Sequence, residues 1–403
     1  MGNWKTVTLG EITSFMAKGI PPKYVEHESN DTIRVLNQKC NRNYRISYSE
    51  SRLHNNAVKK APDAKMLRPG DVLINSTGAG TAGRVAQIWD IPTATTIDGH
   101  MILLRPTDEV DPLYYGYAVK GNQALIESYA EGSTGQTEIN KDRLKSETII
   151  SFPEDKDQQR SIARTLAALD EKVEENERIN KNLFQQAQLL FQQTLSVSEN
   201  IVEVELGSIA DVKGGKRLPK GINLVTMPNN HPYIRVRDLN DVVFATLTAD
   251  YEYVDDETQK SISRYIVAPD DVLISIVGTI GLTAIVDKSL SNANLTENCV
   301  KVTHLKDITS EYLLLYLRSL SGQEKIRQGT VGAVQQKLPI KNIQAIKVPV
   351  LRGNAYKELT DSLSALFVMI SANVTENKNL SQLRDLLLPK LISGELDVST
   401  IDI

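Results

Sequence analysis

The sequence predicts an α+β protein of two homologous domains, separated by two long helices that pack as an antiparallel coiled coil with pseudo-twofold symmetry. Three observations predict this fold: a repeat, a helical seam in each half, and strand-like alternation elsewhere. Motifs recur about 197 residues later, half of the 403-residue chain, so the repeat is a duplicated domain and not a solenoid unit. The repeated motifs are Leu9-Gly10-Glu11-Ile12 with Leu206-Gly207-Ser208-Ile209, Asp71-Val72-Leu73-Ile74 with Asp271-Val272-Leu273-Ile274, and Asn180-Lys181-Asn182-Leu183 with Asn377-Lys378-Asn379-Leu380.

Length and composition support two globular domains in a soluble, cytoplasmic protein. A chain of 403 residues exceeds the size at which one core stops growing. We place the domains at 1–152 and 197–348, a central helix at 153–196, and a C-terminal helix and tail at 349–403. No apolar run approaches the roughly 18 residues of a membrane span. Cys40 and Cys299 stand alone in each half, which predicts buried free thiols.

Each domain alternates short strands with one helical stretch. Period-two alternation predicts the first domain's strands at 32–36, 72–75 and 101–104. The corresponding strands of the second domain are predicted at 233–236, 272–276 and 300–303. The helical stretches are expected at 112–129 and 310–328.

The two long helices carry complementary seams. Apolar residues from Ile162 to Leu190 follow alternating steps of four and three, which is typical of a coiled coil, and the same spacing recurs after Leu359. In an antiparallel register where facing residue numbers add up to 553, Asn176 and Asn180 face Asn377 and Asn373, although solvated asparagines in a frayed seam remain an alternative. Leu169 facing Arg384 is the one poor layer. The residues predicted to pair are Ile162, Leu166, Val173, Asn176, Asn180, Leu183, Leu363, Ile370, Asn373, Asn377 and Leu380.

The helices also predict a rigid spacer. Residues 157–195 would span about 58 Å if fully helical, and would hold two similar domains apart. Pro389 is expected to break the second helix before Leu391, with Gly394 as a stop. A second apolar ridge either packs on the domains or docks a partner; it comprises Ile179, Phe184, Phe191, Phe367, Val374 and Leu388.

Motifs for catalysis are weak. Gly78-Ala79-Gly80-Thr81-Ala82-Gly83 matches G-x-G-x-x-G, but a strand-like segment follows it where a phosphate-binding helix would be needed. We interpret it as a glycine turn, with a nucleotide or methyl-donor site as the alternative. The five histidines lack metal-ligand spacing, and Pro21-Pro22-Lys23-Tyr24 lacks the acid or asparagine of an amino-methyltransferase box. We therefore predict no catalytic, metal or cofactor site.

Local charge favours binding to double-stranded DNA despite a net charge of −4. Nine Lys or Arg lie from Arg34 to Arg68 against only Glu50 and Asp63. Cations attract phosphate, and Asn, Gln and Arg can bond base edges. A solvated loop is the alternative. The predicted DNA-binding residues are Asn37, Gln38, Lys39, Asn41, Arg42, Asn43, Arg45, Ser133, Thr134, Gln136, Lys213, Lys216, Arg217, Lys220, Arg235, Arg237 and Asn240.

These motifs, in order and twice, resemble the DNA specificity subunit of type I restriction-modification enzymes. The resemblance also rests on Gln158-Gln159 and on the closing segment from Leu383 to Leu396. The second half departs from it, because Asn354-Ala355 stands where Gln-Gln would fall, and this weakens the first turn of the second helix. The resemblance implies two target-recognition domains, helices that dock two methyltransferase subunits, and restriction/translocase subunits that join later.

Two functions remain open on the sequence. One is a non-catalytic scaffold whose two different readers recognise the two halves of an asymmetric, bipartite DNA site at a fixed spacing. The other is an enzyme that uses the glycine turn for a nucleotide or methyl donor. Binding of such a ligand by the isolated chain would distinguish them.

Overall fold

A computed structural model of the chain describes residues 3–78, 80–132, 137–249, 251–332 and 336–398. The chain divides into two compact units. Unit 1 contains Met1–Val173 and Asn379–Ile403, and unit 2 contains Glu174–Lys378. Each unit therefore combines an α+β body with part of both long helices. Among the described residues, no helix has both the length and the apolar character that a membrane span requires.

The body of unit 1 is built on two four-stranded sheets among its described residues. The strands are β1 (Trp4–Thr8), β2 (Thr13–Lys18), β3 (Tyr24–Val25), β4 (Thr32–Leu36), β5 (Asn41–Arg42), β6 (Arg45–Ile46), β7 (Arg52–Asn55), β8 (Val72–Asn75), β9 (Val85–Gln87), β10 (Thr95–Ile97), β11 (Met101–Pro106), β12 (Ala130–Glu131), β13 (Glu138–Ile139) and β14 (Ile149–Pro153). The sheet orders are β10-β4-β7-β3 and β2-β11-β8-β9, and β1 pairs with β14. The predicted strands at 32–36 and 72–75 are confirmed, and the third extends two residues beyond its predicted end.

The helices of unit 1 correct one prediction. The helices are α1 (Pro112–Gly121), α2 (Gln123–Glu127) and α3 (Lys141–Glu147), with 3₁₀ turns at Gln38–Cys40 and Asp63–Lys65. The single helix predicted over 112–129 is wrong, because Asn122 leaves helical geometry at φ −97°, ψ 7°. Asp111 caps α1 by accepting hydrogen bonds from the backbone N–H of Leu113 and Tyr114.

Unit 2 repeats this plan around a five-stranded sheet among its described residues. The first long helix, α4 (Lys156–Val197), precedes it in the chain. The strands are β15 (Ile201–Glu205), β16 (Asp211–Gly214), β17 (Tyr233–Ile234), β18 (Phe244–Ala245), β19 (Val272–Ser275), β20 (Thr283–Val286), β21 (Asn294–Leu295), β22 (Cys299–Thr303) and β23 (Lys347–Leu351). The sheet order is β16-β22-β19-β20-β18, and β15 pairs with β23 as β1 does with β14. The strand predicted over 233–236 ends at Ile234, since the chain then turns into a 3₁₀ helix.

The helices of unit 2 show the same departure from the predicted single stretch. The helices are α5 (Leu206–Ile209), α6 (Asp256–Ile262), α7 (Ser310–Arg318), α8 (Leu320–Gly329) and α9 (Ile340–Gln344), with 3₁₀ turns at Val236–Leu239, Ser263–Tyr265 and Lys288–Leu290. The second long helix, α10 (Asn354–Ile392), begins in unit 2 and ends in unit 1. Ser319 separates α7 from α8 because it is extended, at φ −67°, ψ 161°, and its side chain caps α8. The prediction of one helix over 310–328 is therefore wrong.

The two long helices pack antiparallel within each unit, as the seam predicted. In unit 2, Asn176 Nδ2 donates to Asn377 Oδ1 at 2.8 Å, and Asn373 Nδ2 donates to Asn180 Oδ1 at 2.8 Å. The asparagines therefore pair with one another, and the frayed-seam alternative is excluded. In unit 1, Ile162 and Leu391 are both buried.

Two predictions about the C-terminal helix have different outcomes. Pro389 does not break α10, which continues to Ile392. The missing N–H of Pro389 falls in the last turn, so the helix loses one hydrogen bond there and keeps its path. Gly394 is left-handed at φ +76°, consistent with the predicted stop.

Four residues of the second ridge, Phe184, Phe191, Phe367 and Leu388, pack in the cores of the two units. Phe191 lies 4.8 Å from Tyr312 and Phe184 lies 6.2 Å from Phe367, ring centre to ring centre, all inside unit 2. Leu388 is buried in the core of unit 1. Phe191, Phe367 and Leu388 are buried, whereas Ile179, Phe184 and Val374 are half-buried. Both cysteines are buried free thiols, and burial raises the pKa of Cys299 to about 12.

Candidate nucleic-acid interface

Three segments of unit 1 meet at the turn that follows β8. The first is the 3₁₀ turn Gln38–Cys40, whose Gln38 carbonyl accepts a hydrogen bond from Asn75 Nδ2 at 3.1 Å. The second is the glycine turn that joins β8 to β9, and the third is the pair β12 and β13. Ile139 N donates to Ser76 O at 2.8 Å, which ties β13 to the glycine turn. The fold thus brings the predicted DNA-binding segment at 37–45 together with the glycine turn and with the pair β12 and β13.

The glycine turn is a structural part of this surface. It connects antiparallel strands, with Gly83 N donating to Asn75 O at 2.8 Å, and no phosphate-binding helix follows it. Gly78, Gly80 and Gly83 have φ of +119°, +69° and +89°, a region that favours glycine. These conformations explain the three glycines without a bound nucleotide.

The hairpin of β5 and β6 presents the basic residues that follow the 3₁₀ turn. Its two-residue turn, Asn43 and Tyr44, has φ of +52° and +62°, as in a type I′ turn. Arg42 and Lys39 are exposed, and neither side chain has a partner among the described residues. Arg45 lies at the other side of the turn and is half-buried. Lys39 and Arg42 are therefore available to a phosphate.

Two predicted asparagines have structural roles. Asn41 is fully buried, and its Nδ2 donates to the carbonyl of Arg84 at 2.9 Å, so it is removed from the predicted base-reading set. Asn37 caps the 3₁₀ turn: its Oδ1 accepts from Lys39 N at 2.9 Å and its Nδ2 donates to Glu50 O at 2.7 Å. Sequence composition could not distinguish these residues from exposed ones. Ser133, Thr134 and Gln136 lie outside the described residues.

Unit 2 builds the same three-segment arrangement from different residues. A 3₁₀ turn follows β17, where Asp238 Oδ2 accepts from Arg235 N at 2.7 Å. Gly281 N donates to Ser275 O at 3.0 Å across the glycine turn of β19 and β20. Leu338 N donates to Ile276 O at 3.0 Å, as Ile139 N does to Ser76 O in unit 1. The repeated hydrogen bonds identify equivalent positions in the two units.

The cations of unit 2 are mostly paired with acids. Arg217 Nε donates to Glu297 Oε1 at 2.7 Å, and this bond raises the pKa of Arg217. Arg235 contacts Glu252, and burial together with the nearby Arg237 lowers the pKa of Arg235. Arg237 contacts Glu252 at 3.1 Å. The positive potential of this turn is therefore weaker than that of its counterpart in unit 1.

The remaining predicted residues of unit 2 lie at the surface. Lys213 pairs with Asp211 at 3.1 Å, and the ammonium of Lys216 lies 5.6 Å from the centre of the Tyr265 ring. Lys220 and Asn240 are exposed. The predicted DNA-binding residues of unit 2 thus lie on two segments of the chain, 213–220 and 235–240.

The sequence missed residues that lie at the centre of the unit 1 surface. Thr77 Oγ1 donates to Gln38 Oε1 at 3.1 Å and lies 2.8 Å from His100 Nδ1. Lys18 pairs with Glu138 of β13. Pairing of the predicted strands at 72–75 and 101–104 was the available signal, since it brings Ser76 beside His100.

Comparison with known proteins places the chain in a family. The model of the type I restriction modification DNA specificity domain matches residues 1–185 and again residues 198–380. The chain belongs to this family. A curated relative, the type I restriction enzyme HindI specificity subunit of Haemophilus influenzae, is 22% identical over 98% of this chain and all of its own length.

A solved structure supports the fold of this specificity subunit. The type I restriction-modification S subunit from M. genitalium has a TM-score of 0.52 at 19% identity, over 97% of this chain and 96% of its own. Specificity subunits recognise DNA within type I complexes and are non-catalytic, and the family implies assembly with other restriction-modification subunits. The glycine turn is thus part of a DNA-recognition protein, and the enzyme hypothesis is set aside.

Proposed function

We propose that this specificity subunit reads an asymmetric, bipartite DNA site, with one half read by the three-segment surface of each unit. The observation that carries the proposal is the repetition of one backbone arrangement with different side chains. Backbone bonds are equivalent at Ser76 and Ile276, whereas the 3₁₀ turn contains Gln38 in unit 1 and Val236 in unit 2. Two unlike surfaces would select two unlike sequences, because base edges are discriminated by hydrogen-bond pattern.

Selection of bound DNA tests this proposal. The chain assembled with its methyltransferase subunits is incubated with randomised duplexes, and the bound duplexes are sequenced. We expect two different short sequences separated by a spacer of constant length. A single continuous sequence, or two identical halves, contradicts the proposal.

The long helices are proposed to set the spacer length. One heptad is inserted into α4 and one into α10, at facing positions of the antiparallel pair. Each helix then becomes about 10 Å longer. At about 3.4 Å per base pair, the selected spacer should lengthen by about three base pairs. A matched control inserts seven residues after Gly353, outside the helices. An unchanged spacer in the helix variant would remove this part of the proposal.

Phosphate contacts are proposed for the unpaired cations. Lys39→Ala and Lys216→Ala should each weaken binding to all DNA sequences and lower the slope of log affinity against log salt by about one unit. Filter binding at several salt concentrations measures both effects. An unchanged slope would exclude that lysine from phosphate contact.

The exposed apolar residues of the long helices are proposed to dock two methyltransferase subunits, after which restriction/translocase subunits join. Leu386 on α10 is 59% exposed in unit 1, and Val368 is 64% exposed in unit 2. Leu386→Asp or Val368→Asp should reduce capture of the methyltransferase while the chain stays folded. Ser362→Asp, on an exposed position of α10, is the control, and full capture by both apolar variants contradicts this docking face.

A further inference from the structure

A hydrogen-bond chain crosses the surface of unit 1 from His100 through Thr77 to Gln38. Thr77 Oγ1 lies 2.8 Å from His100 Nδ1 and donates to Gln38 Oε1 at 3.1 Å. His100 is exposed, while Thr77 and Gln38 are half-buried. The chain joins two of the three segments that form the candidate interface.

The polarity of this chain follows from the single proton of the Thr77 hydroxyl. That proton goes to Gln38 Oε1, so His100 Nδ1 must be the donor toward Thr77 Oγ1. A neutral His100 then presents Nε2 to solvent as an acceptor. The amide nitrogen of Gln38 carries two N–H donors, and neither has an acceptor among the described residues. The relay therefore carries a donor group at its Gln38 end and an acceptor at its His100 end, joined through the one hydroxyl of Thr77.

The backbone around the chain holds these groups in place. Asn75 Nδ2 donates to Gln38 O at 3.1 Å, and Ser76 N donates to His100 O at 2.7 Å. The buried carboxylate of Asp98 accepts from His100 N at 2.9 Å. Polar groups held in this way lose little conformational freedom when they bind.

We propose that Gln38 and His100, oriented by Thr77, read one A·T base pair in the major groove. Adenine presents an acceptor, N7, and a donor, N6–H₂, on the same base edge. The Gln38 amide donates to N7 and the neutral His100 Nε2 accepts from N6–H₂. This assignment rests on the proposed function, since it specifies one base pair within the half-site of unit 1.

Unit 2 cannot form this chain and provides a matched control. Ile276 N donates to Asn298 O at 2.8 Å, as Ser76 N does to His100 O, so Asn298 is the equivalent of His100. The glycine turn of unit 2 places Val277 where unit 1 has Thr77, since Val277 bridges Lys337 one residue before Leu338, as Thr77 bridges Glu138 one residue before Ile139. A valine cannot relay a hydrogen bond, so this way of reading an A·T pair belongs to unit 1 alone.

The test is selection of randomised duplexes by the full chain assembled with its methyltransferase. Gln38→Ala and His100→Ala should each lose preference for the same A·T pair, on the order of tenfold, with other positions unchanged. Thr77→Val keeps the side-chain shape but breaks the relay, and should weaken preference at that same pair. Asn298→Ala should leave the unit 1 half-site unaltered.

The outcomes separate this inference from the function on which it rests. If the unaltered complex selects no two-part site, the proposed function fails. If it selects such a site and both Gln38→Ala and His100→Ala keep every preference, or lose preference for a G·C pair, the base-pair assignment is overturned. Gln38 and His100 reach the surface, so thermal unfolding of these variants should match that of the original chain and keep the result interpretable.

Discussion

The junction between the long helices and the α+β body is polar in unit 1 and aromatic in unit 2. In unit 1, the carboxylate of Asp170 accepts from Tyr117 OH at 2.8 Å and pairs with Arg384. The repeat places Phe367 and Ala187 at the positions of Asp170 and Arg384. In unit 2, the Phe367 ring contacts Phe184 at 6.2 Å and Phe244 at 6.1 Å.

The two junctions show that one backbone plan accepts two chemical solutions. The aromatic junction gains from apolar burial, which does not depend on direction. The polar junction is stable only while every charge keeps its partner, since an unpaired buried charge is costly. It also explains how the seam layer of Leu169 and Arg384 is tolerated, because the Arg384 guanidinium pairs with Asp170 and Asp385.

The polar junction also reaches the basic hairpin of unit 1. The ammonium of Lys120 lies 4.1 Å from the centre of the Tyr44 ring and 4.0 Å from Asp170 Oδ2. Tyr44 is the turn residue between Arg42 and Arg45. In unit 1, the hairpin that carries predicted DNA-binding residues is thus held by the same charges that hold the helices.

Removing Asp170 should have the largest effect. Asp170→Ala leaves Lys120 without its carboxylate and Arg384 with only the exposed Asp385, and should lower the free energy of unfolding by about 3 to 5 kcal/mol. Urea unfolding of the full chain measures it. Adding Arg384→Met to Asp170→Ala should recover part of the loss, because one uncompensated charge is removed.

A control and a contrast sharpen this prediction. Asp385 is 62% exposed, so Asp385→Ala should change the free energy of unfolding by less than about 1 kcal/mol. Phe367→Ala should lower the free energy of unfolding by about 3 to 5 kcal/mol, because it leaves a cavity. No second substitution in unit 2 should recover this loss, because no charge is left unpaired. If a second substitution recovered as much stability in Phe367→Ala as Arg384→Met does in Asp170→Ala, the polar and aromatic junctions would not differ in how they are stabilised.

The second-largest effect concerns Lys120, whose ionisation should make the stability of the chain depend on pH. Burial lowers the pKa of Lys120 from 10.5 to about 8, an effect that Asp170 opposes and Arg384 reinforces. Between these values the unfolded chain binds a proton that the folded chain has released, so raising the pH through this window favours folding. Stability should rise by about 2 kcal/mol between pH 7.5 and 9.5, before tyrosines begin to ionise.

Two variants assign this rise to Lys120. Lys120→Met should abolish it, because the titrating group is gone. Lys325→Met, at an exposed lysine of α8, should retain it. A rise of equal size in Lys120→Met would show that another group is responsible.

Smaller effects are expected in the asparagine layers of unit 2. Asn176 is 1% exposed and donates to Glu376 as well as to Asn377, so Asn176→Ala should cost about 1 to 2 kcal/mol. Asn180 is half-buried, and Asn180→Ala should cost less. Thermal unfolding of the two variants compares them, and the reverse order would contradict the assigned burial.

The smallest expected effect is a difference in the salt dependence of DNA binding between a cation of unit 1 and a cation of unit 2. Arg42→Ala should lower the salt slope of DNA binding by about one unit, because Arg42 is free to neutralise a phosphate. Arg237 is already balanced by Glu252 and Asp238, so Arg237→Ala should lower the slope by less than half as much. Equal slopes for the two variants would mean that the ion pairs open when DNA binds.

Much of the fold could be predicted because its signals are local. The heptad spacing identified both helices, and the sum of residue numbers gave the asparagine pairs. The breaks at Asn122 and Ser319 were missed, since each lies within an otherwise helical composition and depends on caps and packing. Pro389 was misjudged because a proline in the last turn removes little that the helix still needs.

The candidate site was predictable only in part. Lys39 and Arg42 lie at the surface as charge density suggested, but Asn41 is buried and Asn37 caps a turn. Thr77 and His100 were missed because they are 23 residues apart and meet only through the pairing of β8 with β11.

The sequence by itself determined the duplication, the helix register and the family, because repeats and periodicities are written along the chain. Tertiary structure decided which polar side chains reach the surface, which cations are neutralised, and which loops share one surface. These properties depend on contacts between residues far apart in the chain. The same repeat position can therefore hold Asp170 in one unit and Phe367 in the other, and only the folded surroundings show what each one does.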